Sequence, residues 1–152
     1  MEQLDISIKN YHPNAILNAI SDAKNELISE LDYPQYANGT FAKIVAKVYL
    51  VYQNILKKNQ ALDFDDLISR TIKLFEKNPE VLTIYQEKYR YLLIDEYQDT
   101  NRAQYVLSKL LAKRYRKLCV VGDASQSIYS WRGADYRNLT NLKNDYPNLK
   151  IF

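Results

Sequence analysis

Residues 92 to 101 read Leu92-Leu93-Ile94-Asp95-Glu96-Tyr97-Gln98-Asp99-Thr100-Asn101, an apolar run that stops at an adjacent acidic pair. A short continuous apolar run is how a buried parallel strand is written. In open α/β sheets, ligands gather where such strands end. Two carboxylates at that edge suit nucleotide hydrolysis, because one can hold Mg²⁺ through its water shell while the other orients and deprotonates the attacking water. The phosphate-cradling Gly-x-x-x-x-Gly-Lys-Ser/Thr loop that completes such a site is absent from the 152 residues. The chain therefore reads as part of an enzyme.

Outward from this run, the pattern changes near residue 90. Before it come four helical stretches. Ile16, Leu17, Ile20, Ala23, Leu27 and Leu31 recur at spacings of three and four, which predicts a helix from Asn14 to Leu31, ended by Asp32-Tyr33-Pro34. A second helix is expected from Thr40 to Lys58, and a third opens at Asp63, a natural N-cap followed by first-turn aspartates. Asn78-Pro79 breaks that helix and starts a fourth, running to Lys88.

After Tyr89, strands alternate with helices. Tyr91 to Ile94 and Leu118 to Val121 are short apolar strands, joined by a helix that opens at Thr100 or Asn101. A last helix from Tyr136 to Asp145 precedes Leu149-Lys150-Ile151-Phe152, which reads as a third strand. This is βαβ logic. The expected fold is therefore α/β, a partial parallel sheet of about three strands behind a mostly helical N-terminal subdomain, with the boundary between residues 62 and 63.

Composition narrows the function. Hydrophobic residues make up 47% and charged ones 26%, an ordinary soluble globular balance. Three glycines, four prolines and fourteen tyrosines favour long helices with few tight turns. The net charge of +3 is uneven: residues 90 to 152 carry eleven basic against six acidic side chains. Part of that excess, Lys113, Arg114, Arg116 and Lys117, lies at a helix end, where cations complement the dipole. The single cysteine, Cys119, excludes an internal disulfide and reads as a buried strand residue. The single histidine, His12, leaves no histidine triad or zinc cluster. No apolar stretch reaches membrane-spanning length and no signal-peptide pattern opens the chain, so the expected compartment is the cytoplasm.

A second run, Val120-Val121-Gly122-Asp123-Ala124-Ser125-Gln126, again ends a strand at an acid. Gly122 permits a sharp turn, Asp123 faces the same sheet edge as Asp95, and Gln126 is placed to reach a phosphate or a water. Tyr129, Trp131 and Arg132 follow within a few positions. Such a cluster can stack on unpaired bases, at roughly 1 to 3 kcal/mol per base, with the cation on a phosphate. Burial of the two aromatics in a core is the competing reading. Treating Asp95, Glu96, Asp99 and Asp123 as a metal-hydrolase site is disfavoured, because no histidine or other ligand set accompanies them.

Asp95-Glu96-Tyr97-Gln98-Asp99-Thr100-Asn101 resembles motif II, the Walker B box, of the UvrD/Rep/PcrA-type superfamily 1 DNA helicases. The run from Gly122 to Ala134 resembles their motif III, and Leu62-Asp63-Phe64-Asp65-Asp66-Leu67 their segment just before motif II. The resemblance covers residues 60 to 152, and the helical first part is similar, less specifically, to the inserted 1B subdomain. It implies a RecA-like P-loop NTPase core, 1A, from residue 63, preceded by 1B-like residues 1 to 62. It implies that Asp95 holds the Mg²⁺ of Mg-ATP, with Glu96 beside it as catalytic base. Gln126 would sense the γ-phosphate, with Gln98 and Asp123 as its supporting partners at the nucleotide. Tyr129, Trp131 and Arg132 would contact DNA.

The implied partners are single-stranded DNA, 3′-tailed duplex DNA and the remaining motor domains of a parent chain, with no membrane. The implied activity is that of a 3′-to-5′ DNA helicase and translocase. The alternatives are the motor of a helicase-nuclease complex or a non-catalytic single-stranded DNA-binding module. The Walker A loop and motifs IV to VI are missing from this stretch, so the expected fragment is without useful ATPase activity.

Overall fold

The computed structural model describes residues 4–127 and 133–152. Among the described residues, six helices, α1 (Pro13–Asn25), α2 (Gly39–Lys58), α3 (Phe64–Lys77), α4 (Pro79–Lys88), α5 (Arg102–Ala112) and α6 (Arg137–Asp145), accompany two strands, β1 (Leu92–Ile94) and β2 (Leu118–Val120). The chain forms two compact units, Met1–Ser69 and Arg70–Phe152, with α3 running across the division.

The first unit is helical. His12 Nδ1 accepts the Asn14 N–H and Pro13 occupies the first turn, where its missing N–H costs nothing. One face of α1, Ile16, Ile20 and Ala23, packs against Val45 and Tyr49 of α2. Each such large apolar side chain contributes about 1.5 to 3 kcal/mol on burial. Helix α1 ends at Asn25, six residues before the expected Leu31. Leu27 takes a left-handed conformation (φ 60°), and the Ile28 N–H closes back on the Ala23 carbonyl at 2.8 Å. That is a Schellman-type stop formed without glycine. The apolar spacing continued past the point where the backbone turned, and Leu31 is exposed.

Asp63 caps α3 as its position suggested, its Oδ1 accepting the Asp66 N–H at 2.8 Å. Its other oxygen meets Lys24 Nζ at 2.6 Å. Lys24 also lies 3.2 Å from Asp66 Oδ1, and Gln53 donates to both Asp66 oxygens at 3.0 and 2.9 Å. A fully buried lysine on α1 is thereby neutralised by two aspartates at the start of α3. Its ammonium also lies 5.3 Å from the centre of the ring of Tyr52, whose hydroxyl donates to Asp63 at 2.9 Å.

In the second unit, β1 and β2 pair in parallel with Leu92, Leu93 and Ile94 opposite Leu118, Cys119 and Val120, and α5 forms the crossover. Asn101 caps α5 in a reciprocal capping box with Gln104, at 2.9 and 3.0 Å. Gln86 of α4 donates to the Leu110 carbonyl at 2.7 Å, fixing α4 against α5.

Two expectations are corrected here. Among the described residues the sheet has two strands, and Leu149 to Phe152 carry no ladder: the Leu149 N–H turns back to the Tyr146 carbonyl at 2.9 Å, and Ile151 and Phe152 are exposed. Nor is either strand buried on both faces. Leu93 is 79% exposed and its partner Cys119 is exposed too, so the strands are covered on one side only. A continuous apolar run describes residue type, and the neighbouring layer decides which face is covered.

Candidate functional site

The site is built where β1 and β2 end. Ile94 accepts the Val121 N–H at 2.9 Å, and Val121 in turn accepts the Tyr97 N–H at 2.9 Å. The two loops that follow the strands are thus laced together by backbone before any side chain contributes. Asp95 and Glu96 stand at the end of β1, both exposed. Asp95 Oδ1 accepts the Glu96 N–H at 2.9 Å. Glu96 itself is left-handed, with φ 50°, a conformation that costs a non-glycine residue about 1 to 2 kcal/mol. Such outliers concentrate at functional sites.

Tyr97 to Asp99 then form a single 3₁₀ turn, with Tyr97 and Gln98 buried. Gln98 is the hub: its Nε2 donates to Glu96 Oε2 at 2.7 Å, and its Oε1 accepts the Asp123 N–H at 3.0 Å. Asp123 opens a second 3₁₀ turn, Ala124 to Gln126. One of its oxygens accepts the Ser125 N–H at 2.9 Å, the other the Gln126 Nε2 at 3.0 Å. Those bonds, Gln126 first, hold the Asp123 carboxyl below its usual range.

Gly122 serves a purpose other than the sharp turn expected of it, since its φ is not in the left-handed region. A Cβ at this position would lie 2.7 Å from Gln98 Oε1 and 3.2 Å from the Tyr97 nitrogen. Glycine is required because the second loop passes directly over the first.

The structure brings Glu96, Gln98, Asp123 and Gln126 into one hydrogen-bonded series, with Asp95 bonded to its head. Tyr129, Trp131 and Arg132 lie outside the described residues. The residues that resume after them are anchored to the first loop: the Asp135 N–H donates to the Thr100 carbonyl at 3.0 Å, and buried Asn138 donates to the same carbonyl at 2.9 Å and to Thr100 Oγ1 at 3.2 Å. Sequence reading missed these positions. A polar asparagine on the inner face of an amphipathic helix was the available signal, and α6 is too short for that signal to stand out.

The donor set is compatible with Mg²⁺. Two exposed carboxylates beside each other offer hard oxygen ligands, and Mg²⁺ is ordinarily held by one or two carboxylates together with phosphate oxygens and waters. Among the described residues, no group of three His, Cys, Asp or Glu side chains gathers as a ready cage. Also among the described residues, no helix is long and apolar enough to cross a membrane.

Comparison with known proteins gives the geometry a family. The chain is 52% identical over 151 residues to the ATP-dependent DNA helicase PcrA of Bacillus subtilis, an alignment covering 99% of this chain and 20% of that protein. It is also 52% identical over 146 residues to the protein of the same name from Staphylococcus epidermidis, covering 96% and 20%. The Staphylococcus aureus (strain COL) protein of that name matches at 52% over 143 residues, covering 94% and 20%. The chain thus spans about a fifth of the length of these relatives. Residues 1–147 match the UvrD/REP helicase N-terminal domain, and the chain belongs to that family.

Proposed function

We propose that this chain carries the motif II and motif III portion of an ATP-driven DNA motor of the helicase class, one that moves 3′ to 5′ on single-stranded DNA and opens 3′-tailed duplexes. The observation that carries the reading is the family match over residues 1–147, which includes the acidic pair at the end of β1. Residues 63 to 152 are the RecA-like 1A part and residues 1 to 62 the helical 1B-like part. The working place is the cytoplasm, and the remaining motor domains of the parent protein are its partners.

In this mechanism Asp95, with Glu96 next to it in sequence, would hold Mg²⁺ through its water shell. The ion, when bound with ATP, neutralises charge on the transferring phosphoryl group. Glu96 takes the proton of the attacking water. Gln126 exchanges its bond to Asp123 for one to the terminal phosphate, and so registers whether that phosphate is present. Gln98 and Asp123 hold the nucleotide-facing groups in register. Tyr129 and Trp131 stack on bases, and Arg132 meets the backbone.

By itself the chain lacks both the lysine loop for the phosphates and the arginines that stabilise transition-state charge. Arginine-finger contacts alone are worth about 10³ to 10⁵ in rate. The isolated chain is therefore expected to turn over no ATP, and DNA-stimulated turnover abolished by Glu96→Gln would overturn that expectation. Trp131 is the only tryptophan, so its fluorescence reports the DNA site directly. Oligo-dT should quench it at low salt and release it at high salt. Absence of quenching at any DNA concentration would remove the proposed DNA contact.

A further inference from the structure

Glu96 and Gln126 occupy different loops, and the structure connects them through a defined series of bonds. From Gln126 Nε2 to Asp123 Oδ2 is 3.0 Å, from the Asp123 N–H to Gln98 Oε1 is 3.0 Å, and from Gln98 Nε2 to Glu96 Oε2 is 2.7 Å. Gln98 is 1% exposed, so water cannot replace either of its bonds cheaply. Its orientation is determined by its partners. Turning the amide over would set an NH₂ against the Asp123 N–H and a carbonyl against a carboxylate, two repulsive contacts in place of two bonds. Gly122 lets the loops pass so close that a Cβ there would lie 2.7 Å from the Gln98 amide oxygen.

Asp95 offers no equivalent route. Its Oδ1 bonds the Glu96 backbone N–H and leaves the Glu96 carboxylate alone. Among the described residues, Gln98 is the side chain that bonds that carboxylate.

We propose that Gln98 is a positioning residue that transmits the state of Gln126 to the carboxylate of Glu96. While Gln126 is bonded to Asp123, the Asp123 N–H is held against Gln98 and the free amide proton of Gln98 holds Glu96. When Gln126 leaves Asp123 for another acceptor, the 3₁₀ turn from Asp123 loses its side-chain clasp, the Asp123 N–H shifts, and Gln98 follows it and withdraws from Glu96. No covalent step is involved. The inference rests on the reading of Glu96 as the catalytic base for its consequence, whereas the link itself is a property of the chain and requires no nucleotide.

The test is amide NMR on the isolated chain. Glu96→Ala and Gln126→Ala alter exposed side chains on opposite ends of the series. Each is expected to shift the Gln98 side-chain NH₂ resonances, and Glu96→Ala is expected to shift the Asp123 backbone amide as well. In a Gln98→Glu background, which keeps an acceptor for Asp123 but loses the donor to Glu96, the Asp123 response to Glu96→Ala should vanish. Gln98→Leu should remove both links, with faster exchange of the Asp123 amide. If Gln126→Ala leaves the Gln98 NH₂ unmoved, or if Asp123 responds to Glu96→Ala equally in the Gln98→Glu background, the transmission is overturned. The first of these readouts keeps Gln98 intact, so a misfolded Gln98 variant does not spare the proposal. A catalytic misreading of Glu96 would show up in ATP turnover by the full-length parent protein, where Glu96→Gln would leave the rate intact, and would not alter these resonances.

Discussion

The ammonium of Lys24 and the carboxylate of Asp63 meet at 2.6 Å although they are 39 positions apart. With Asp66 3.2 Å away on the same cation, Lys24 ties α1 to the start of α3. Lys24→Met would remove the ammonium that lies 3.2 Å from Asp66, itself 2% exposed. Removing one partner of a buried pair costs about 3 to 5 kcal/mol. Because Gln53 still donates to both Asp66 oxygens, a loss near the lower end, about 3 kcal/mol, is expected in urea denaturation. A change below about 1 kcal/mol would mean the pair is solvated in practice.

The same cluster sets a pH dependence. Burial pushes the Asp63 carboxyl upward, but Lys24, the Asp66 N–H and the Tyr52 hydroxyl outweigh it and hold the group below its usual value. A carboxylate with a lowered folded pKa contributes stability that is complete above its unfolded pKa and lost as pH falls through the folded one. The urea midpoint should therefore fall as pH drops below the ordinary carboxylate range, and this component should shrink in Lys24→Met, which takes away one of the groups that hold Asp63 ionised. At the alkaline end, burial first and then the bond to Asp63 push the Tyr52 hydroxyl up to about 12. Its contribution is present below the ordinary tyrosine value and disappears as pH rises through the folded one. Tyr52 is one of several tyrosines whose hydroxyls are held up, so in ultraviolet titration Asp63→Asn should move one part of the late-ionising absorbance to lower pH.

Gly122→Ala tests the close passage of the two loops. The new methyl would meet the Gln98 amide oxygen at 2.7 Å and the Tyr97 backbone nitrogen at 3.2 Å. Neither can retreat without breaking a bond, so a loss of about 1 to 3 kcal/mol is expected, typical of overpacking. Hydrogen exchange at Asp123 should quicken in the same variant. An Asp123 amide as protected as in the parent chain would show that the loops have room.

Glu96 carries a backbone cost. Replacing it by glycine removes the left-handed penalty of about 1 to 2 kcal/mol and adds back about 0.5 to 1 kcal/mol of unfolded-state entropy. Both Glu96→Gly and Glu96→Ala take away the acceptor of the buried Gln98 amide, and only glycine also relieves the left-handed backbone, so Glu96→Gly is expected to be more stable than Glu96→Ala by up to about 1 kcal/mol. A Glu96→Gly variant no more stable than Glu96→Ala in urea denaturation would mean that the left-handed backbone carries no cost here.

Asn138→Ala removes the amide that reaches Thr100 from α6. A buried carbonyl left without that donor costs about 1 to 3 kcal/mol. The Asp135 N–H still serves the Thr100 carbonyl, so the lower half of that range is expected in thermal unfolding.

The elements from Asp63 to Val120 were legible because each announced itself locally: an aspartate cap, an Asn-Pro break, two apolar runs, an asparagine capping box. The placement of the acidic pair and of Gln126 in the loops after the two strands was legible for the same reason, since each apolar run stops at an acid. What escaped was tertiary. Lys24 looks like any helix-surface lysine until α3 brings two aspartates to it. Gly122 was read as a turn residue, whereas its role is steric and depends on a loop 24 residues earlier at Gln98. The stop at Leu27 uses a residue that carries no stop signal, and Cys119 is exposed because no second layer covers its face.

The two-stranded sheet has a practical consequence. Among the described residues each strand pairs on one side only, so each offers its remaining backbone donors and acceptors, beside the exposed side chains of Leu93 and Val121, as a template for another extended segment. In concentrated solution the isolated chain should therefore lose monomer first through strand-to-strand adhesion at β1 and β2. Charged replacements at Leu93 or Val121, both directed away from the covered face, are the economical way to keep it dispersed.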